Sequence, residues 1–432
     1  MQSKISIIKP IDMKKNLILF TVFFLSFQML FAQNPEEKGN FDPVQKESTG
    51  PKAIPGQFIV VLKEKPVILN TQKKTSENRN EKEMLNKAAR EQVTQKINTV
   101  KSRLKLNQTA VIAEYTDVIS GFTAKLDKSQ VVKLQADPEV AAVYQDYEIT
   151  IGDYETHEVF ENHENGQVIP CAITQAGGSV NGSTKSTVVW ILDTGADMDH
   201  PDLNIETSSE LSKSFVTGET VEDGNGHGTH CAGIIGGKDN AVGTLGVSSG
   251  ARIIPIKVLA NSGAGSFSTL ISGLNHVAKF DKPGDVVNLS LGTYGVKDCE
   301  NANPTLRDAL RNLGNAGTWV VISSGNDYKD SKQALPGCVN GNKVITVGAM
   351  TCEGTCAKYT NLNPATVDWF AVGSNVYSTY KNGGYATMSG TSMAAPVVAG
   401  ILHSKNALPV SAGDINCRNV TVPAASYKKA RR

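Results

Sequence analysis

Val188-Val189-Trp190-Ile191-Leu192-Asp193-Thr194-Gly195 is an apolar run that ends on a carboxylate. A strand written without polar alternation is buried on both faces, as in a parallel sheet covered by helices. The same texture recurs at Ile253–Leu259, Val286–Leu289, Trp319–Ile322 and Val344–Val347. Between these runs lie helical patterns at His227–Ile235, Ser266–Phe280 and Pro304–Asn315. The alternation predicts an α/β domain with a doubly wound, mainly parallel sheet from Gln167 onward. Such sheets build their sites beyond the carboxyl ends of the strands, which is where Asp193 stands.

Three further stretches suit that rim. In Asp223-Gly224-Asn225-Gly226-His227-Gly228-Thr229-His230-Cys231-Ala232-Gly233, three glycines leave His227 with little cover at a helix start. His227 and His230 are also spaced as a metal pair, but the acid of a zinc-type H-E-x-x-H helix is absent. A metal-dependent hydrolase using His227, His230 and Asp193 is therefore a competing reading. Ser323-Ser324-Gly325-Asn326-Asp327 follows a predicted strand and offers the Asn326 amide as a donor. In Gly390-Thr391-Ser392-Met393-Ala394-Ala395-Pro396 a small-residue turn delivers one hydroxyl to the start of an apolar helix. A nucleophile there sits beside unpaired N–H groups and the positive dipole end, which suits a developing oxyanion.

Asp193, His227 and Ser392 occur in the order of the subtilisin-type triad. With the motifs around them they make the chain resemble the subtilases, subtilisin-like serine endopeptidases, and most of all the proteinase K branch. The resemblance implies Ser392 as nucleophile, His227 as its base, Asp193 holding the imidazole, and Asn326 with the Ser392 N–H as the oxyanion hole. It implies substrate lying as an added strand between Gly263-Ala264-Gly265 and Ser290-Leu291-Gly292. Ser323-Ser324-Gly325 would line the first pocket, whose small neutral walls predict hydrophobic or neutral residues before the cut. No cofactor is needed for this chemistry. A structural calcium at Asp368 with the Val344 carbonyl is an additional expectation from the branch, as is an unpaired Cys231 that bulky thiol reagents would attack. A peptide-binding subtilase-like domain without activity is the alternative, and intact Asp193, His227, Ser392 and Asn326 argue against it.

Upstream, Gln57–Leu62 reads as a strand, residues 70–83 as a charged loop, and residues 84–104 as a helix. Strands at Val111–Tyr115, Gly121–Leu126 and Val140–Tyr144 and a helix at Lys128–Leu134 complete a ferredoxin-like order. Gly56–Leu62, Ile119–Leu126 and Leu134–Val140 resemble the subtilase inhibitor-type propeptide, an inhibitor and folding aid. Residues 148–166 are acidic and polar and read as an exposed, cleavable connector. Lys14, Lys15 and the apolar run Leu17–Phe27, followed by Leu30-Phe31-Ala32, form a signal-peptide pattern. The expected organisation is signal peptide 1–32, linker 33–55, propeptide 56–150, connector with processing site 151–166 and catalytic domain 167–432.

A net charge of +1 gives no reason to expect nucleic acid. The hydrophobic share of 40% is ordinary for a globular chain. The expected protein is secreted or periplasmic, free of the membrane after signal removal, and monomeric. Its partners are protein or peptide substrates and its own propeptide. Seven cysteines in an exported chain predict disulfides plus one spare thiol. Six allow fifteen pairings; Cys171 with Cys417 and Cys299 with Cys338 are the expectations, and Cys352 and Cys356 are close enough in sequence to close on each other.

Overall fold

The computed structural model describes residues 50–69, 78–160 and 166–432. The signal peptide and most of the linker expected before residue 50 lie outside the described residues.

The N-terminal part follows the predicted order, with one change. Strands β1 (Ala53–Leu62), β2 (Val111–Tyr115), β3 (Gly121–Lys125) and β4 (Val140–Thr150) form an antiparallel sheet in the order β4-β1-β3-β2. Where a loop running into one helix was expected, two helices stand: α1 (Arg79–Leu85) and α2 (Lys87–Arg103). Asn78 starts α1 by accepting the N–H groups of Asn80 and Glu81 at 3.0 and 3.3 Å. Helices α2 and α3 (Lys128–Gln135) cover one face of the sheet. Val60, Phe122, Val93, Ile97, Val100 and Leu134 close the core between them.

The larger part is the predicted doubly wound sheet. Its central strands are β6 (Val189–Asp193), β7 (Arg252–Lys257), β9 (Val286–Leu289), β10 (Trp319–Ser323), β11 (Val344–Met350) and β12 (Trp369–Val372), all parallel. They run in the order β12-β11-β10-β9-β6-β7, so β6 lies between a later strand on each side. That is a switch point, and Asp193 is its last residue. Helices α4 (His227–Gly236), α5 (Phe267–Phe280), α6 (Pro304–Asn315) and α7 (Thr391–Lys405) flank the sheet. Trp190, Leu192, Ile254, Ile256, Val287 and Ile322 are fully buried against them, which explains the unbroken apolar runs. The short strand β8 (Ala264–Ser266) precedes α5, and β13 (Val376–Thr379) pairs with β14 (Tyr385–Ser389) ahead of α7. The tail forms a hairpin, β15 (Val410–Cys417) with β16 (Ala425–Arg431), and β16 adds to β12 in parallel.

Two expectations are corrected. The connector is not bare: β5 (Glu155–Phe160) pairs antiparallel with β14, from Ser389↔Glu155 to Tyr385↔Phe160. Its side chains are mostly exposed and polar, so it is held by backbone pairing and leaves little hydrophobic signature. The disulfides are Cys171–Cys352, Cys299–Cys338 and Cys356–Cys417. Only the second matches expectation. The turn between Thr351 and Thr355, closed by Thr351 N–H to Thr355 O at 2.8 Å, sends its two cysteines to different segments. Cys352 reaches the short helix Cys171–Gln175, and Cys356 reaches the hairpin tail.

Candidate active site

The site grows from the end of β6. Thr194 N–H donates to Asp193 Oδ1 at 2.7 Å, and the same oxygen lies 2.8 Å from His227 Nδ1. Both side chains are fully buried. Glycines allow this approach. A Cβ on Gly228 would stand 2.1 Å from Gly195 O, so α4 can lie against the end of β6 only without one. Gly226 has φ +108°, and a Cβ there would enter the Tyr380 ring. One residue not singled out in sequence braces the turn: Asp223. Its Oδ1 accepts from Thr194 Oγ1, Asn225 N and Gly226 N at 2.8, 3.0 and 2.8 Å. Its Oδ2 accepts from Thr229 N and Oγ1 at 2.9 and 2.7 Å. The legible signal was an Asp before Gly-Asn-Gly, a side chain suited to bonding its own loop.

Ser392 sits in the first turn of α7, 2% exposed. Its Oγ donates to Ser290 O at 3.4 Å, and its carbonyl accepts from Ser290 Oγ at 2.8 Å. His227 Nε2 is buried and makes no hydrogen bond. The structure thus joins Asp193 to His227 but leaves the serine hydroxyl turned away from the imidazole. Asn326 is oriented from behind: its Oδ1 accepts from Thr391 N and Oγ1 at 2.8 and 2.7 Å. That forces the amide nitrogen toward the cleft, where it donates to Asp153 O at 2.5 Å. Gly390 keeps the space clear, since a Cβ there would lie 3.2 Å from this nitrogen.

The cleft is filled by the chain itself. Residues 148–150 of β4 pair antiparallel with β8, Thr150 opposite Ala264 and Ile149 opposite Gly265. Thr150 also exchanges hydrogen bonds with Gly292, N–H to O at 3.0 Å and back at 2.8 Å, and Ile151 N–H donates to Gly263 O at 3.1 Å. The two predicted edges therefore hold an added strand. Beyond Asp153, the Tyr154 ring tilts over His227 with centroids 5.1 Å apart, and β5 continues along β14. A cavity beside Asp153 is lined by Leu291, Gly292, Ser323, Gly325 and Asp327. Ser324 is not in its wall; its hydroxyl turns to Asn361 O at 3.1 Å.

The metal reading fails on geometry. His230 points Nε2 at Val376 O and Ala386 O, 3.1 and 3.0 Å away, and burial pushes its pKa down to about 3. Cys231 replaces it near Asp193 and His227. That thiol carries no disulfide, is fully buried, and is pushed well up by burial, with the nearby Asp193 charge adding to the effect. Asp368 precedes β12 and accepts Thr346 N–H through Oδ2 at 2.8 Å. Burial of the carboxyl raises its pKa to about 6, although the residue as a whole is exposed.

Residues 184–413 match the subtilase family, peptidase S8. The chain belongs to the subtilases. Residues 57–151 match peptidase inhibitor I9. The subtilase is 32% identical over 329 residues to the cuticle-degrading protease of Metarhizium anisopliae, covering 73% of this chain and 76% of the relative. It is 31% identical over 292 residues to proteinase R of Parengyodontium album, 66% and 70% of the two chains. The M-protease of Shouchella clausii is 36% identical over 290 residues, 66% and 68%. This subtilase is a serine protease with an inhibitor-type propeptide ahead of its catalytic part. Among the described residues no helix is long and apolar enough to cross a membrane.

Proposed function

We propose that this subtilase hydrolyses peptide bonds through Ser392, His227 and Asp193, and that the described form is its latent precursor. The observation that carries the reading is the Asp153 carbonyl, held by the Asn326 amide in a strand crossing the site. Rotation of the Ser392 hydroxyl from Ser290 O toward the unpaired His227 Nε2 would arm it. His227 then takes the proton as Oγ attacks, and returns it to the leaving amine. Asp193, accepting from Nδ1–H, fixes the tautomer and stabilises the imidazolium. The oxyanion is received by Asn326 Nδ2 and the Ser392 N–H at the helix start. Phenylmethylsulfonyl fluoride should label Ser392 of the processed enzyme, and Ser392→Ala precursor should stay intact. Cleavage of that variant in a clean preparation would point to an outside protease.

The bond cut in processing is then Asp153–Tyr154, because Asp153 carries the carbonyl at the oxyanion donor. After signal removal, all residues up to Asp153 leave with the propeptide, and the mature chain begins at Tyr154. A mature N-terminus elsewhere, read by sequencing, would overturn this assignment. Preference for hydrophobic or neutral residues before the cut follows from the cavity wall, which also carries the acid Asp327. The catalytic chemistry draws on side chains and backbone alone. The mature enzyme is proposed to act outside the membrane, secreted or periplasmic, on the strength of the export pattern in residues 1–32, and as a monomer.

Calcium at Asp368 stays a proposal of this reading. The chain offers one carboxylate and the Val344 carbonyl on the neighbouring strand, so water would complete the six to eight oxygens calcium takes. A carboxyl held near 6 is the kind a cation would pull down. An unchanged melting temperature with EDTA would remove calcium from this site.

A further inference from the structure

Helix α5 is gripped by the propeptide along its whole length, and the grip at its far end has nothing to do with the cleft. At the start of α5, Ser268 N–H donates to Asp146 Oδ1 at 3.2 Å. Midway, Asn275 Oδ1 accepts the N–H groups of Thr116, Asp117 and Val118 at 3.1, 2.7 and 3.2 Å. At the end, two cations of α1 enter. Arg79 donates to Phe280 O at 3.0 Å and spans Asp285 with Nη1 to Oδ2 at 2.5 Å and Nη2 to Oδ1 at 2.8 Å. Its guanidinium also lies 5.6 Å from the Trp190 ring centroid. Lys82 Nζ donates to Ala278 O at 3.0 Å, to Asp281 O at 2.7 Å and to the Asp281 carboxylate. All four charged groups are buried, Asp285 completely.

The socket is built by the catalytic part alone. Asp285 is fixed by Val188 N–H at 3.1 Å, Trp190 Nε1–H at 3.0 Å and Lys282 N–H at 3.0 Å. Its carboxylate therefore keeps its orientation when Arg79 departs. A planar fork, an aromatic floor and an unsatisfied helix carbonyl together select guanidinium over ammonium. The position is remote from Ser392. Asp285 and Val188 precede their strands, whereas Asp193 ends one. Five residues of β6 place the socket roughly 17 Å along the sheet from the catalytic rim. Acid at the start of α5 and cations at its end also match the helix dipole.

We infer that Asp285, Trp190 and the end of α5 form an arginine-binding exosite, and that Arg79, aided by Lys82, is the anchor that keeps the cleaved propeptide on the enzyme. This rests on the zymogen reading above, in which the chain up to Asp153 leaves as a unit. The cleft strand ends in a product carboxylate after the cut and is replaceable by any substrate. The socket contact is not competed by substrate, so it sets the length of latency.

The test uses the full precursor, whose mature enzyme is chemically identical for every Arg79 variant. Processing is read on a gel, and the lag before peptide hydrolysis is read in the same sample. Appearance of the cut band in wild type tests the zymogen reading separately. Arg79→Gln should be cut normally but shorten the lag and release propeptide on size exclusion, with retention weakened on the order of 10²–10³-fold, the loss expected for breaking one buried pair. Final specific activity should equal wild type. An unchanged lag and unchanged retention would overturn the anchor. Should Arg79→Gln fail to fold, Arg79→Lys decides: a shortened lag supports a site tuned to the guanidinium fork, and a wild-type lag refutes it.

Discussion

Asn326 has both ends of its amide committed, the oxygen to Thr391 and the nitrogen to the Asp153 carbonyl. Asn326→Ala should therefore lower kcat by about 10²–10³ with little change in KM. Thr391→Val should give part of that loss, since it frees the amide to turn; steady-state kinetics on one peptide separates the two. Asp153 stands beside a cavity whose wall includes Asp327, and proximity within one chain compensates for the poor match. Asp153→Leu should speed self-cleavage, seen as earlier appearance of the cut band. Cys231 was expected to be open to bulky reagents, but it is fully buried and its pKa is pushed well up, so little thiolate exists at neutral pH. One thiol should titrate after denaturation without reduction, and only slowly before it.

Helix α5 carries a second consequence at the scale of an element. His276 lies among Trp190, Phe215 and Phe280 and bonds Leu211 O at 2.9 Å through Nε2. Burial pushes its pKa down from 6.5 to about 4. The unfolded chain takes up this proton near pH 6.5 while the folded one refuses it until about 4. Stability should fall as pH drops through that window, by up to about 3 kcal/mol for this group. Melting temperatures of the Ser392→Ala precursor from pH 7.5 to 5 should show the slope, and His276→Gln should reduce it, with His230, also held neutral by burial, supplying part of the rest. The elements themselves were mostly legible. Strands buried on both faces write themselves as apolar runs, and the glycines around His227 mark where backbones must touch. Strand β5 was not legible, because an exposed strand held by backbone bonds to β14 needs no apolar pattern. The Arg79 plug was hidden for another reason. Its partner Asp285 lies 206 positions away, and a cation without a visible partner looks like a solvated loop. The rearranged disulfides belong to the same class, since three-dimensional proximity decides them and sequence spacing does not.

Over the whole molecule, the precursor is locked at four places: the cleft strand and the start, middle and end of α5. Only the first is broken by catalysis. The bridges Cys171–Cys352 and Cys356–Cys417 meet on one turn and tie both ends of the catalytic part to it. Reduction should therefore loosen the N-terminal helix and the C-terminal hairpin together, visible as shared loss of amide protection in hydrogen exchange. The pairing of β5 with β14 has one more effect. On the proposed cleavage after Asp153, the amine of Tyr154 would not diffuse away from the acyl-enzyme, because the strand behind it remains laced to the segment that leads into Ser392. The departing group is thus a tethered nucleophile at high local concentration, and the peptide bond can be remade as readily as water can intervene. Nascent enzyme should pass through a reversible stage, and oxygen-18 from solvent should enter the Asp153 carboxyl only as fast as that strand peels off.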